Sequence, residues 1–534
     1  MKISELMVQT LKEGGVEVIF GIPSIHNIGF YDALRKEPGI RHVLCRHESN
    51  ATHMADGYAR SGKGVGVVVA STGPGVTYTI SPLIEAFYAC SPVLVITSNL
   101  RVNQIDKGLG VLHELKQQPT LFKSVTKATI SLRPEDDIQA RLHEAISLAL
   151  TGRPGPVFLE VPNDLWDIEV EDQGTGKVEA SNRRMPDLTQ AMDLLKKARH
   201  PMIITGIEAL HAGLAGEVKA LAEKLCAPVL TDSGGKGILP EDHVLAFGNV
   251  VNRGAVRTLH ETCDVTLNIG SRLRYVDFKR KGVHLPNLIH ADWDEAWVDK
   301  NFKAKVQVLG DVKEILSNLI REVEALPVPE ARKTFMKDLR EKHEDYIRSI
   351  SPEFKEVGFI NAIRKAMPRE GILVVDNTIL GYFSEQIYPS LRPMGLVSAK
   401  GSSPIGFSFP AAMGVKKANP ETPVVAVIGD GGFLYGANEL STCVQSGIHF
   451  PVVVVNDNAF RMIDYLQMTS YQKGFETDLM NPDFKTFAKA FGVDAVTVET
   501  PEDLSHALAK ALGSNKMWLI ELKVKFPELP FGRF

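Results

Sequence analysis

The 534-residue chain has no long apolar run, no surplus of one charge, few cysteines and no internal repeat, and each absence removes a class of protein. Its longest apolar stretches, VGVVVA and PVVVVN, are strand-length and far short of the ~20 residues a membrane helix needs. Lys and Arg number 60 against 64 Asp and Glu, a formal charge of −4. That balance argues against a nucleic-acid binder working by bulk phosphate attraction and leaves room only for a local basic patch. The five cysteines (Cys45, Cys90, Cys226, Cys263, Cys443) are scattered, odd in number and include no C-x-x-C. They read as reduced, packed thiols of a cytoplasmic protein. The opening MKISELMVQTLKEGGVEVIF lacks the apolar core and small-residue cleavage site of a secretory signal and reads as an amphipathic helix running into a strand. With 44% apolar and 23% charged residues, the chain has the composition of an ordinary globular protein rather than a disordered or collagen-like one.

What is present is a regular alternation of short Val/Ile runs with helical periodicity. VGVVVAS (65–71), PVLVITS (92–98), PVFLEVP (156–162), PMIITG (201–206), DVTLNIG (264–270), GILVVDN (371–377), PVVAVIG (423–429) and FPVVVVN (450–456) are near-continuous apolar strands. Strands of this kind are buried on both faces, so they predict parallel sheets covered by helices. A polar, Gly-containing stretch at 169–187 and a charged helical stretch at 324–346 mark two boundaries. The expectation is three doubly wound α/β domains at about 1–170, 185–330 and 350–534. The first and third each carry a strand ending in a Gly-rich turn, STGPG and GDGG, which suggests related folds.

The most informative stretch is Gly429-Asp430-Gly431-Gly432, placed between the strand PVVAVI and a helical segment. A Gly-rich turn there lets backbone amides approach a phosphate at the helix N-terminus. An acid in that turn is wrong for direct phosphate contact, but suits a hard cation held between carboxylate and phosphate. A second oxygen donor follows the next strand, in Asn456-Asp457-Asn458-Ala459-Phe460, 27 residues after Asp430. That interval accommodates one helix and one strand, which puts both carboxylates at the same edge of adjacent strands and outlines a Mg²⁺ site. A tight turn and a helix cap are the bland alternatives.

GDG followed about 27 residues on by an Asn/Asp pair resembles the signature of thiamine diphosphate (ThDP) enzymes. The resemblance implies that Asp430, Asp457 and the carbonyl of Ala459 hold the metal, and that Gly429, Gly431, Gly432 and Phe460 lie against the cofactor. Position 457 is more often Asn in that family; Asp keeps the oxygen and adds a charge. The segment IRHVLCRHESNATHMADGYAR (40–60) resembles the one that carries the family's catalytic glutamate, here Glu48, whose carboxyl works against the cofactor's pyrimidine ring. The plainer alternative for Glu48 is a helix-capping acid partnered by Arg60. GIPSIHNIGFYDAL (21–34), ASTGPGVTYTISPLIEAFYACSPVLVIT (70–97), GRPGPVFLEVPND (152–164) and IGFSFPAAMGVKKANPE (405–421) resemble the branch containing acetolactate synthases and 2-oxo acid decarboxylases. The same resemblance implies that Ile405 props the cofactor, that the backbone near Ser403 meets its aminopyrimidine, and that Asn377 and Thr378 bind the diphosphate.

Family chemistry implies decarboxylation of a 2-oxo acid to an enamine, then either protonation or addition to a second carbonyl. A ThDP-dependent C–C lyase or hydrolase acting on a diketone or an acyl-CoA, and a non-catalytic ThDP-fold protein, remain as alternatives. His26 in IPSIH and His113 in LHE are candidates for selecting the substrate, a pairing that resembles 5-guanidino-2-oxopentanoate decarboxylase-like proteins. Departures from acetolactate synthases are visible. Leu112-His113-Glu114 stands where Phe-Gln-Glu is usual, Tyr78 replaces an Asn, and Ser271-Arg272-Leu273-Arg274-Tyr275-Val276 lacks the second Arg of an Arg-x-Asp-Asp-Arg-like run. The last difference weighs against FAD and a second 2-oxo acid, so FAD stays open, with Arg272 as its first candidate contact. Because the family pairs the glutamate of one subunit with the metal site of another, the resemblance implies a homodimer or homotetramer.

Overall fold

The computed structural model describes residues 1–171, 185–251, 254–324, 326–350 and 354–526, so residues 172–184 of the expected 169–187 linker lie outside the described residues. All eight apolar runs are strands, and they fall into three six-stranded parallel sheets. Helices connect most successive strands, as parallel pairing favours, but in the central sheet Val229–Thr231 and Ala246–Asn249 are joined by a loop without a helix. The charged stretch near 324–346 is the helix Glu330–Ile350.

The first sheet runs in the order Arg41–Leu44, Val18–Gly21, Gly66–Ala70, Val93–Asn99, Val157–Pro162, Ala128–Ser131. The third runs Leu396–Ser398, Ile372–Val375, Val424–Gly429, Pro451–Asn456, Trp518–Lys523, Asp494–Val498. Counted within each sheet, both have the order 2-1-3-4-6-5, so the likeness hinted at by the two Gly-rich turns extends to topology. The central sheet differs. Its order Val306–Leu309, Ile289–Asp292, Val265–Ile269, Pro201–Thr205, Val229–Thr231, Ala246–Asn249 reverses at the Pro201 strand, as in dinucleotide-binding folds.

The first and third units share one apolar core, in which Phe20, Met54 and Tyr58 join Phe407, Phe409 and Met413. Helix Glu48–Arg60 crosses helix Ser408–Ala418 with the two backbones almost touching. A Cβ on Gly57 would lie 2.1 Å from the Ala411 oxygen, and one on Gly414 would lie 1.8 Å from the Met54 oxygen. Only glycine permits that approach. The crossing therefore fixes the helix that begins with Glu48 against the unit that carries the GDGG turn. The central unit has its own core, built on Ile203, Leu230, Leu267 and Ile289.

Candidate active site

In open parallel sheets, ligands bind beyond the carboxyl ends of strands where the strand order reverses. In the third sheet that point lies between Ile372–Val375 and Val424–Gly429, and a cavity of about 290 Å³ opens there. Asn377, Thr378, Ser403, Ile405, Gly429, Asp430, Gly431, Gly432, Asp457, Ala459 and Phe460, every residue expected at the cofactor or the metal, line it. No residue before Asp376 does, so the cavity is a product of the third unit alone.

Asp430 and Asp457 are both nearly buried. Burial raises both carboxyls, and for Asp457 the Asp430 charge adds to the rise while Arg461 opposes it. Two facing acids in a buried site form a place for a cation. Asn481 Nδ2 donates to Asp430 Oδ2 at 2.7 Å, with Asn456 Oδ1 at 3.0 Å and Asn458 Oδ1 at 3.2 Å around the same nitrogen. An amide nitrogen has two hydrogens, so three oxygens converge where two can be satisfied, while Asn481 Oδ1 is buried without a partner. Among the described residues no group of three or more His, Cys, Asp or Glu side chains converges. A metal here would therefore draw on two carboxylates, a main-chain carbonyl and oxygens of its ligand, the oxygen-rich set that suits Mg²⁺. The extra charge of Asp457 is also accounted for: Arg461 Nε donates to its Oδ2 at 2.7 Å and Arg461 Nη1 to Asp464 at 2.8 Å.

One wall of the cavity is organised by a residue that the sequence did not single out. Asp376 is buried, lines the cavity, and accepts the backbone N–H groups of Asn377, Gly406 and Ser408 at 2.8, 3.3 and 2.8 Å. Burial pushes its carboxyl up to about 6. Asn377, expected at the diphosphate, gives its side-chain N–H groups to the carbonyls of Ser403 (2.8 Å) and Pro404 (2.9 Å). It therefore fixes the Ser403–Ile405 wall, and its place at a diphosphate would rest on its backbone. Thr378 stands at the N-cap position of the helix Ile379–Ile387, without a capping hydrogen bond from its side chain.

The other candidates gather on the first unit, around the turn Ser71–Tyr78. Glu48 opens its helix half-buried, and Gly75 lies against it: a Cβ there would be 3.2 Å from Glu48 Oε1. Arg60 is not its partner. That guanidinium sits at the far end of the helix with Asp56 and Glu85, and His47 supplies the helix cap through Nδ1. Gly73 packs on the backbone of His113, whose φ is 64°. The rings of His113 and His26 are 5.2 Å apart. Asn163 Nδ2 lies 3.3 Å from His26 Nδ1, and His26 Nε2 and His113 Nδ1 are buried without partners. Burial, with His113 alongside, lowers the His26 pKa. Glu114 is not available for chemistry, because its carboxylate accepts the backbone N–H groups of Gly108, Leu109, Gly110 and Val111.

Three family descriptions match the chain: "Thiamine pyrophosphate enzyme, N-terminal TPP binding domain" over residues 1–121, its central domain over 188–319, and its C-terminal TPP binding domain over 360–522. An acetolactate synthase large subunit of Lactococcus lactis is 30% identical across 99% of this chain and 94% of its own length. The chain belongs to the thiamine pyrophosphate enzyme family. It is also 30% identical to a probable 2-ketoarginine decarboxylase of Pseudomonas aeruginosa (97% of this chain, 93% of the relative). A probable acetolactate synthase large subunit of Methanocaldococcus jannaschii is 29% identical (98% and 92%). The chain is thus a thiamine-diphosphate-dependent enzyme, and its third-unit cavity fits that cofactor in room, glycine backbone and converging oxygens.

The central unit does not fit FAD. The cleft at its strand ends, between Glu208, Asp232, Gly270 and Arg274, holds about 10 Å³, room for about one water. Arg272, the expected nucleotide contact, is stacked between Tyr88 and Trp297, 5.3 Å from each ring, with Glu208 3.7 Å away. Ser271 donates to Asp232 at 2.7 Å. Side chains thus fill this cleft and leave no room for a nucleotide in it. Among the described residues, no helix is long and apolar enough to cross a membrane.

Proposed function

We propose that this enzyme binds thiamine diphosphate through Mg²⁺ held by Asp430, Asp457 and the Ala459 carbonyl, and uses it to decarboxylate a 2-oxo acid. The observation that carries the reading is the single cavity at the reversal of the third sheet, where the GDGG turn and the Asn456–Phe460 segment meet. Bound cofactor supplies the carbon nucleophile and the electron sink. This chain's residues do the rest. The Gly429–Gly432 turn, at a helix start, would take the diphosphate. Ile405, in the wall opposite Gly432, presses on the cofactor, and the Ser403 backbone presents polar atoms to its pyrimidine.

The proton-handling acid in this reading is Glu48, acting from a second subunit. Its own chain's cavity has no first-unit residue in its lining. Around both halves the surface is unusually apolar: Ile25, Ile28, Tyr78, Leu109 and Leu112 are exposed on the first unit, and Ile463, Leu466, Tyr471, Phe475 and Met480 on the third. The helix Arg461–Tyr471 has no fully buried residue; only Met462 and Tyr465 pack half-buried on the core. Apolar surfaces of this extent mark interaction sites. A homodimer, alone or paired into a tetramer, covers both and brings Glu48, His26 and His113 over the cofactor cavity. His26 Nε2 and His113 Nδ1 then hold the substrate carboxylate or return a proton to the product. Three domains at 1–170, 185–330 and 350–534 and a cytoplasmic location complete the reading; five unpaired cysteines suit a reducing compartment.

Incubating the Mg²⁺–ThDP enzyme with pyruvate, longer 2-oxo acids and 2-ketoarginine, then measuring CO₂ and the aldehyde or hydroxyketone products, tests this. CO₂ with aldehyde identifies a decarboxylase, and CO₂ with a condensed product a carboligase. Absence of CO₂ from every 2-oxo acid, with cleavage of a diketone or acyl-CoA instead, overturns the proposal.

A further inference from the structure

The segment Ser398–Gly406 carries the Ser403 and Ile405 wall of the cavity, and side chains from all three units hold it. From the third unit, Lys400 Nζ pairs with Glu385 at 2.6 Å, Asn377 donates to the Ser403 and Pro404 carbonyls, and Asp376 accepts from Gly406. From the central unit, Arg274 donates to the Lys400 carbonyl. From the first unit, Arg60 Nη1 donates to the Ser398 carbonyl at 2.8 Å, and Glu85 holds the middle of the loop.

Glu85 lies on helix Ile80–Tyr88 and is fully buried. Its Oε1 accepts the Gly401 N–H at 2.8 Å, and its Oε2 accepts those of Ser402 and Ser403 at 2.7 and 3.0 Å. Three consecutive amides converging on one carboxylate fix the direction of the peptide planes leading into Ser403, which sits at φ 59°. Burial alone would lift the carboxyl; Arg60 and the loop amides outweigh it and hold it below the usual carboxylate range. Arg60 Nη2 donates to Glu85 Oε1 at 2.9 Å, and Arg60 Nε and Nη2 donate to Asp56 Oδ1 and Oδ2 at 2.7 Å each. The approach is close enough that a Cβ on Gly401 would lie 2.1 Å from the Glu85 backbone oxygen.

We propose that Glu85 is a positioning residue for the cofactor: it sets the Gly401–Ser403 backbone from across the domain interface, so that Ser403 and Ile405 form the cavity wall before the cofactor arrives. This rests on the reading that the cavity holds thiamine diphosphate, but the loop's own order can be measured without it. Glu85→Gln is nearly isosteric, and Arg60 keeps its bidentate partner Asp56, so the fold is retained. The amide can accept at one end only; its NH₂ would face the Ser402 and Ser403 N–H donors.

The first measurement is amide hydrogen exchange of residues 401–403 in the wild-type apoprotein. Ser402 and Ser403 are solvent-exposed, yet their amides should exchange slowly; exchange at free-loop rates overturns the proposal. The second is thiamine diphosphate titration with Mg²⁺. Glu85→Gln should speed exchange at 401–403 and raise the cofactor Kd by about tenfold or more, with turnover recovering at saturating cofactor. A variant with unchanged Kd overturns it even if the loop exchanges faster. Failure of the wild-type protein to bind the cofactor would instead refute the proposed function, while the apoprotein exchange would still report on Glu85 and its loop.

Discussion

The proposed division of the site between subunits makes a quantitative prediction. Glu48→Gln removes the acid from the first-unit face, and Asp430→Asn removes a metal ligand from the cavity. Each homodimer then has two defective sites, and each should lose at least about a hundredfold in turnover, as expected for loss of a proton-transfer group or a metal ligand. In a mixed dimer the two lesions fall in one site, and the other pairs an intact Glu48 with an intact Asp430. Random 1:1 assembly makes half the dimers mixed, so the mixture should recover about one quarter of wild-type turnover, and heterodimers isolated on two affinity tags about one half. The assay is CO₂ release from the best 2-oxo acid after co-expression of the two chains. A mixture no more active than its parents would show that Glu48 does not serve a partner's cavity. Near-normal activity of the Glu48→Gln parent would remove the residue from the mechanism altogether.

Other predictions follow from single contacts. Asp457→Asn should keep Mg²⁺ affinity within about tenfold, because Arg461 already offsets the charge it removes; Asp430→Asn, whose carboxylate accepts from the neutral Gly431 N–H and Asn481 amide, should lose far more, with both read by Mg²⁺ titration at fixed cofactor. Burial lowers His42, His53, His211 and His343 to about 4. Their folded values lie below the unfolded one, so only the unfolded chain gains these protons, and stability is lost as pH falls from 6.5 toward 4. The ceiling is about 3 kcal/mol per histidine. His343→Phe should flatten the acid limb of the melting curve relative to wild type, and an unchanged limb would contradict the assignment. Gly414→Ala, whose Cβ would lie 1.8 Å from the Met54 oxygen, should lower the melting temperature by several degrees, since overpacking costs roughly 1–3 kcal/mol.

The interior strands were legible because apolar residues on both faces leave an unbroken Val/Ile run. Edge strands carry less signal: Arg41–Leu44 is buried fully only at Val43 and so shows no unbroken apolar run. Trp518–Lys523 lies inside the third sheet, but Glu521 interrupts its apolar run; that carboxylate is buried and paired with Asn456 and Thr497. At the site, Asp430 and Asp457 could be read because local turns and the strand spacing place them, and Ile405 through the resemblance to the family's pattern. Asp376 follows a recognised strand, but its role depends on amides 30 and 32 residues away. Glu85 acts on amides more than 300 residues distant, and Asn481 reaches back 51 residues to Asp430. No local pattern encodes such partners; they exist only once the sheets have packed. Arg461, four residues after Asp457 on the following helix, was within reach of an i,i+4 reading.

Calorimetric titration of the metal-stripped protein with thiamine diphosphate, with and without Mg²⁺, tests the central claim most directly. One cofactor per chain, bound only with the divalent ion and lost in Asp430→Asn, is the predicted result. Absence of binding, or binding that persists without any divalent ion and survives Asp430→Asn, would contradict it.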